Sequence, residues 1–154
     1  MPSDSDLPDA GFRAWVAVFQ AQAAMARTLD RDLKQSVGAG LTSCEVLSTL
    51  GAAPQGRLRM QDLGRQVFLS RSGISQAVNQ LVSQGLVERQ CDPDDLRSIF
   101  AVLTDKGREV LSRCAPALHG EVRGRFSEHL TEAEARTVTE AMGKVLRALG
   151  EQPG

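Results

Sequence analysis

Residues 60–103 read MQDLGRQVFLSRSGISQAVNQLVSQGLVERQCDPDDLRSIFAVL. This stretch predicts a short helix, a tight turn, a second helix, and a two-stranded hairpin with a charged tip. Ile74, Val78, Leu81 and Val82 recur at i, i+4, i+7 and i+8, which makes one apolar stripe along the second helix. Ser70 stands where an N-cap belongs and Gly85 where a helix C-terminus belongs. The other face carries Arg71, Ser72, Ser75, Gln76, Asn79 and Gln80. Their side chains both donate to and accept from base edges, and no carboxylate among them repels phosphate. A polar, amide-rich helix followed by a wing suits a groove of DNA.

The rest of the composition sets bounds on that reading. The chain has 154 residues, 42% of them hydrophobic and 24% charged, as expected for one soluble globular domain. No run approaches the roughly 20 apolar residues that cross a bilayer. Residues 1–10 form an acidic, polar tail without the basic start and apolar core of a signal peptide, and are expected to be disordered. The expected location is therefore the cytoplasm, with no membrane partner. Three cysteines, Cys44, Cys91 and Cys114, stand far apart with no CxxC, which is neither a disulfide framework nor a standard zinc motif. His119 and His129 share no ligand spacing, and no metal or cofactor is expected. A net charge of −1 is low for a nucleic-acid binder, but the charge is unevenly placed. Between Arg57 and Arg89 the cations are Arg57, Arg59, Arg65, Arg71 and Arg89, against only Asp62 and Glu88.

Outward from the central stretch the pattern is helical. Phe12 to about Lys34 carries Phe12, Trp15, Val16, Phe19, Ala23, Ala26, Leu29 and Leu33 on one broad face, and Gly38 and Gly40 end it. Thr42-Ser43-Cys44-Glu45 reads as a capping box opening a helix through Val46, Leu47 and Leu50. Gly51 to Gly56 reads as a loop. Strands are expected at Leu86–Gln90 and Ser98–Leu103. Thr104 caps a second long helix with Leu111, Cys114, Leu118, Val122 and Phe126 on a stripe, where Pro116 should kink or break it. Thr131-Glu132-Ala133-Glu134 is a second capping box, before a last helix with Val138, Met142, Val145, Leu146 and Leu149. Surplus apolar helix at both ends points to a dimer interface.

Several motifs in this order carry a family resemblance. They are Leu69–Leu81, Gly85-Leu86-Val87-Glu88-Arg89, Asp95-Leu96-Arg97-Ser98 and Leu103-Thr104-Asp105-Lys106-Gly107. Together they resemble the MarR family of bacterial transcriptional regulators across roughly Phe12 to Leu149. The resemblance implies a mainly α fold in which a winged helix-turn-helix lobe, 42–104, with a short β-hairpin wing, is flanked by dimerisation helices at 11–36 and 105–150, all in one domain at 11–150. It also implies a homodimeric repressor of palindromic operators, regulated by a small ligand or by thiol oxidation. Carried over by position, Ser70, Arg71, Ser72, Ser75, Gln76, Asn79 and Gln80 would meet the major groove. Arg97 would enter the minor groove, oriented by Asp95; a guanidinium suits a narrow A·T-rich minor groove. Many members carry Arg or Lys where this chain has Gln76 and Gln80.

Trp15, Phe19, Cys44 and Leu47 are the candidate lining of an effector cavity where the first two long helices meet the dimer interface. Cys44 lies in the first turn of a helix, where the helix dipole lowers a thiol pKa, so a redox-sensing regulator is one alternative. The favoured reading of Cys44 is a buried, unreactive thiol, since the peroxide-sensing members of the resembled family carry their reactive cysteine in the first helix, where this chain has none. A winged-helix interaction module that does not bind DNA is another, supported by the sparse basic charge. No nucleophile elbow, phosphate loop, HExxH or paired carboxylates support an enzyme.

Overall fold

The polar-faced helix of the central stretch is α4, Arg71–Ser83, and three neighbours pack around its apolar side. A computed structural model describes residues 9–67, 69–95 and 97–151. In chain order the elements are α1 (Ala10–Val37), α2 (Leu41–Ala52), β1 (Arg57–Arg59), α3 (Met60–Gln66), α4, β2 (Val87–Cys91), β3 (Ile99–Leu103), α5 (Asp105–Arg125) and α6 (Glu132–Ala148). The acidic tail expected at 1–10 falls, apart from Asp9 and Ala10, outside the described residues. The fold is a mainly α winged helix with a small antiparallel sheet. Among the described residues no helix is long and apolar enough to cross a membrane.

Two compact units divide after Leu118. In the first, Leu33 and Val37 of α1, Val46, Leu47 and Leu50 of α2, Leu63 of α3, and Ile74, Val78 and Leu81 of α4 are buried together with Val87, Ala101 and Leu103 of the sheet. Val82, expected on the same stripe, is 38% exposed. Eight residues of helix turn it about 80° away from Ile74, beyond the edge of the buried face. The sheet has strand order β1-β3-β2, and β1 is a strand that no pattern in the sequence indicates. It has only three residues, and its pairing of Arg57 with Val102 and Arg59 with Phe100 is a long-range contact with no local signal.

Helix ends follow the sequence at most positions. Ser70 Oγ accepts the Gly73 N–H at 3.1 Å, and Asp9 caps α1 through the Phe12 N–H at 2.8 Å. The capping box expected at 42–45 is absent. Here α2 starts at Leu41 with Gly40 as N-cap, which puts Thr42 inside the first turn. The cap comes from α1: Asp30 Oδ1 accepts the Leu41 N–H at 3.1 Å while Oδ2 pairs with Lys34 at 2.6 Å. Helix α5 runs through Pro116 without a break in its helical residues.

The junction between α4, the sheet and α5 is tied by Thr104. Its Oγ1 donates to the Gly85 carbonyl at 2.8 Å and accepts the Gly107 N–H at 3.0 Å, while its own N–H donates to the Leu86 carbonyl at 3.1 Å. Gly85 makes the turn at φ 72°, a left-handed conformation that favours glycine. Gly107 has a different reason to be glycine. A Cβ there would stand 2.1 Å from the Leu86 carbonyl oxygen and 2.7 Å from Leu103.

The second unit begins at His119 and holds the end of α5, a 3-10 turn at Ser127–His129, and α6. Its capping box forms as the sequence predicts: Glu134 donates its N–H to Thr131 Oγ1, and Glu134 Oε2 accepts the Thr131 N–H at 2.8 Å. The Thr131 N–H, and then the Thr131 hydroxyl, which donates to Glu134 Oε2 at 2.8 Å, hold the Glu134 carboxyl below its usual pKa.

Gly107→Ala should destabilise the chain by about 1–3 kcal/mol, read as a lowered urea midpoint, because backbone rather than a flexible side chain must yield. Thr131→Ala should cost about 1 kcal/mol at neutral pH. A carboxyl with a depressed folded pKa stabilises above its unfolded pKa, and that contribution disappears as pH falls through the folded value. The stability gap between wild type and Glu134→Ala should therefore be widest near pH 7 and narrow below about pH 4.

Candidate nucleic-acid interface

Burying Ile74, Val78 and Leu81 turns the opposite side of α4 outward. Arg71, Ser72, Gln76, Asn79 and Gln80 are exposed there and Ser75 is half-buried. Ser70 sits at the helix start with its hydroxyl engaged twice, accepting from Gly73 and meeting Ser72 Oγ at 3.2 Å. The polar residues picked from the sequence thus share one surface of one helix. Its first turn holds no acid, so nothing there opposes the positive helix N-terminus.

The wing is the β2–β3 hairpin, with Val87 paired to Leu103 and Cys91 to Ile99. Its tip is organised by two aspartates. Asp92 Oδ1 accepts the Asp94 N–H at 2.9 Å, an Asx turn across Pro93, and Oδ2 pairs with Arg59 at 2.6 Å. The Asp94 N–H and then Arg59 hold the Asp92 carboxyl below the usual carboxylate range. Asp95 accepts from the Ser98 hydroxyl at 2.7 Å and from the Arg97 backbone N–H at 3.1 Å, which lower its pKa in that order. Asp95 therefore shapes the backbone at Arg97 rather than gripping its guanidinium. Among the described residues no acid pairs with the exposed Arg97 side chain. Leu96, between them, lies outside the described residues.

Between α3, α4 and the wing runs a groove of about 830 Å³. Among the described residues that line it are five arginines, Arg59, Arg65, Arg71, Arg89 and Arg97, and no acid. Arg65 is paired with Asp62, and Arg89 reaches from β2 toward Ser75 of α4. Sequence patterning singled out Arg71 and Arg97 but not the other three as site residues. Arg59, Arg65 and Arg89 were visible only as a local excess of positive charge, since they belong to three different elements.

The four residues expected to form an effector cavity do not converge within the protomer. Trp15 and Phe19 are 60% and 58% exposed and stack on each other at 5.9 Å between ring centroids. Leu47 is wholly buried in the core. Cys44 lines a separate cavity of about 360 Å³ with Gln66, Leu111, Cys114 and Leu118. Burial, and then a hydrogen bond with the Cys114 thiol, push the Cys44 pKa up. Loss of water thus outweighs the helix dipole at Cys44, which is buried as the favoured reading of the sequence has it. The neighbouring thiol is also news: Cys114 is seventy residues distant in sequence. Cys91 is exposed.

With this geometry in hand, comparison with known proteins is direct. A family model described as MarR family matches residues 39–98. YkoM of Bacillus subtilis, described as an uncharacterised HTH-type transcriptional regulator, is 36% identical over 72 residues, which cover 47% of this chain and 44% of YkoM. The chain thus spans less than half the length of that relative. Among solved structures, Sco3205 of Streptomyces coelicolor, a MarR family transcriptional regulator in complex with DNA, is 33% identical. The match covers 93% of this chain and 91% of Sco3205, with a TM-score of 0.82. AbsC, a MarR family regulator from the same organism, is 27% identical with a TM-score of 0.80, covering 93% of this chain and 96% of AbsC. An acid-free arginine groove beside a polar helix and its wing, in a chain this similar to Sco3205 over nearly its full length, places the protein in the MarR family of transcriptional regulators.

Proposed function

We propose that the chain is a homodimeric, ligand-responsive repressor that binds a pseudo-palindromic DNA operator. The observation that carries this reading is the groove with five arginines and no acid, set between the polar face of α4 and the wing. On this reading Arg71, Ser72, Ser75, Gln76, Asn79 and Gln80 face base edges and phosphates of the major groove, with Ser70 at the edge of the contact. Arg97 enters the flanking minor groove, where negative potential is deepest in A·T-rich steps. That the related Sco3205 was solved in complex with DNA supports it.

Dimerisation is supported by apolar side chains left outside each unit's core. In the first unit Phe12, Trp15 and Phe19 project from α1 at 44–60% exposure. In the second, Val138, Val145 and Leu146 of α6 and Leu149 at its C-cap lie exposed. Faces of this kind belong against a second copy. A twofold dimer would present two α4 helices to half-sites one helical turn apart, about 34 Å. The 360 Å³ cavity beside Cys44 is of a size that accepts a small effector. A ligand favouring a separation of the two reading helices that DNA does not accept would release the operator. No step in this reading is catalytic.

Fluorescence anisotropy on DNA from the chain's own upstream region, against a shuffled duplex over a salt series, tests the reading. Expected is preference for the native fragment, with affinity falling as salt rises. Arg97→Ala should weaken binding about tenfold, most on A·T-rich flanks. Asn79→Ala should relax preference at particular base pairs by about 1–3 kcal/mol. Binding that is indifferent to salt, and to sequence across a genomic selection, would sink the operator model in favour of an interaction module.

A further inference from the structure

Arg59 occupies a position whose usual residue it is not. It is the N-cap of α3, where Ser, Thr, Asp or Asn would accept a backbone N–H, and it makes no side-chain cap. Its guanidinium instead leaves the helix and reaches Asp92 at the wing tip, 2.6 Å away. On the way it passes 5.8 Å from the centre of the Phe100 ring, beside Arg57 at 4.8 Å. Asp92, although at a hairpin tip, has a side chain only 4% exposed. A carboxylate so placed needs a partner, since loss of water penalises its charge.

Asp92 is also the hub of the tip. Its carboxylate receives the Asp94 N–H, its N–H donates to the Ser98 carbonyl at 3.0 Å, and its carbonyl accepts the Asp95 N–H at 3.3 Å. Asp95 in turn fixes the Arg97 N–H and the Ser98 hydroxyl. An unbroken series of polar contacts thus runs from the first residue of the helix-turn-helix, through Asp92 and Asp95, to the backbone of Arg97. We infer that Arg59 is a positioning residue: its ion pair with Asp92 latches the wing to the start of α3 and sets where Arg97 stands relative to α4.

The inference rests on the DNA-binding reading above, and it separates from the obvious rival role for Arg59. An arginine lining this groove is expected to contact phosphate directly. In that case Asp92→Ala, which frees the guanidinium, would leave binding unchanged or tighten it. A latch requires the opposite: Arg59→Ala and Asp92→Ala lose the same affinity.

The test is a mutant cycle on the intact protein, read by anisotropy on a selected duplex and by hydrogen exchange of residues 91–99. Arg59→Ala and Asp92→Ala should each weaken binding about tenfold and speed exchange at the tip while α4 stays protected. In an Arg97→Ala background neither should weaken binding further, because their effect passes through Arg97. Arg59→Lys, which keeps an ion pair, should recover most of the loss. Additive losses with Arg97→Ala, tighter binding by Asp92→Ala, or a tip whose exchange ignores Arg59 would each overturn the latch. If the wild type binds no DNA, the DNA-positioning role falls with the operator model. The exchange data then report separately whether the pair anchors the tip.

Discussion

The Thr104 hydroxyl is the point on which the reading unit depends. It closes the turn after α4 through the Gly85 carbonyl and opens α5 through the Gly107 N–H. Lys106 adds a bond to the Gln84 carbonyl at 2.8 Å, and Gly107 lets α5 sit directly on the Leu86 carbonyl. The end of the polar-faced helix, the exit of the wing and the start of a long helix are thereby one rigid joint. A displacement of the first turns of α5 would meet the Leu86 backbone directly, through the Thr104 N–H and through the close approach of Gly107 to the Leu86 carbonyl. That is the mechanical condition a regulator needs if events elsewhere along α5 are to be felt at α4.

Charge is handled locally rather than globally. With a net charge of −1, the chain has little long-range field to draw in a polyanion. Screening confines surface charges to a range of about 8 Å at physiological salt in any case. What matters is then the composition of one groove, whose described lining holds five arginines and no acid, with Asp92 and Asp62 pairing with Arg59 and Arg65 from outside it. The aspartates that make the wing tip look repulsive are largely occupied: Asp92 by Arg59 and backbone, Asp95 by backbone and Ser98, with Asp94 left at the surface.

Much of this was legible in the residues alone. Periodicity placed Ile74, Val78 and Leu81 in the core and the amide-rich side of α4 outside, because a helix of known pitch leaves little choice. Short-range capping at Ser70, Thr104 and Thr131 was equally plain, since donor and acceptor are three residues apart. The misreadings share a cause. The T-S-C-E pattern at 42–45 matches a capping box locally, but Asp30 from the preceding helix supplies the cap, and the N-cap is Gly40, two residues before Thr42.

Residues near in sequence determined the helices, their caps and the polar face that reads as a nucleic-acid surface. Contacts between distant residues decided the rest: the three-residue β1 paired to β3, the Arg59–Asp92 ion pair across 33 positions, and the meeting of Cys44 with Cys114. Local hydrogen bonds and periodic burial leave a mark on neighbouring residue types. A guanidinium's partner, or a thiol's loss of water, depends on which distant elements the core brings together, and no local pattern encodes it.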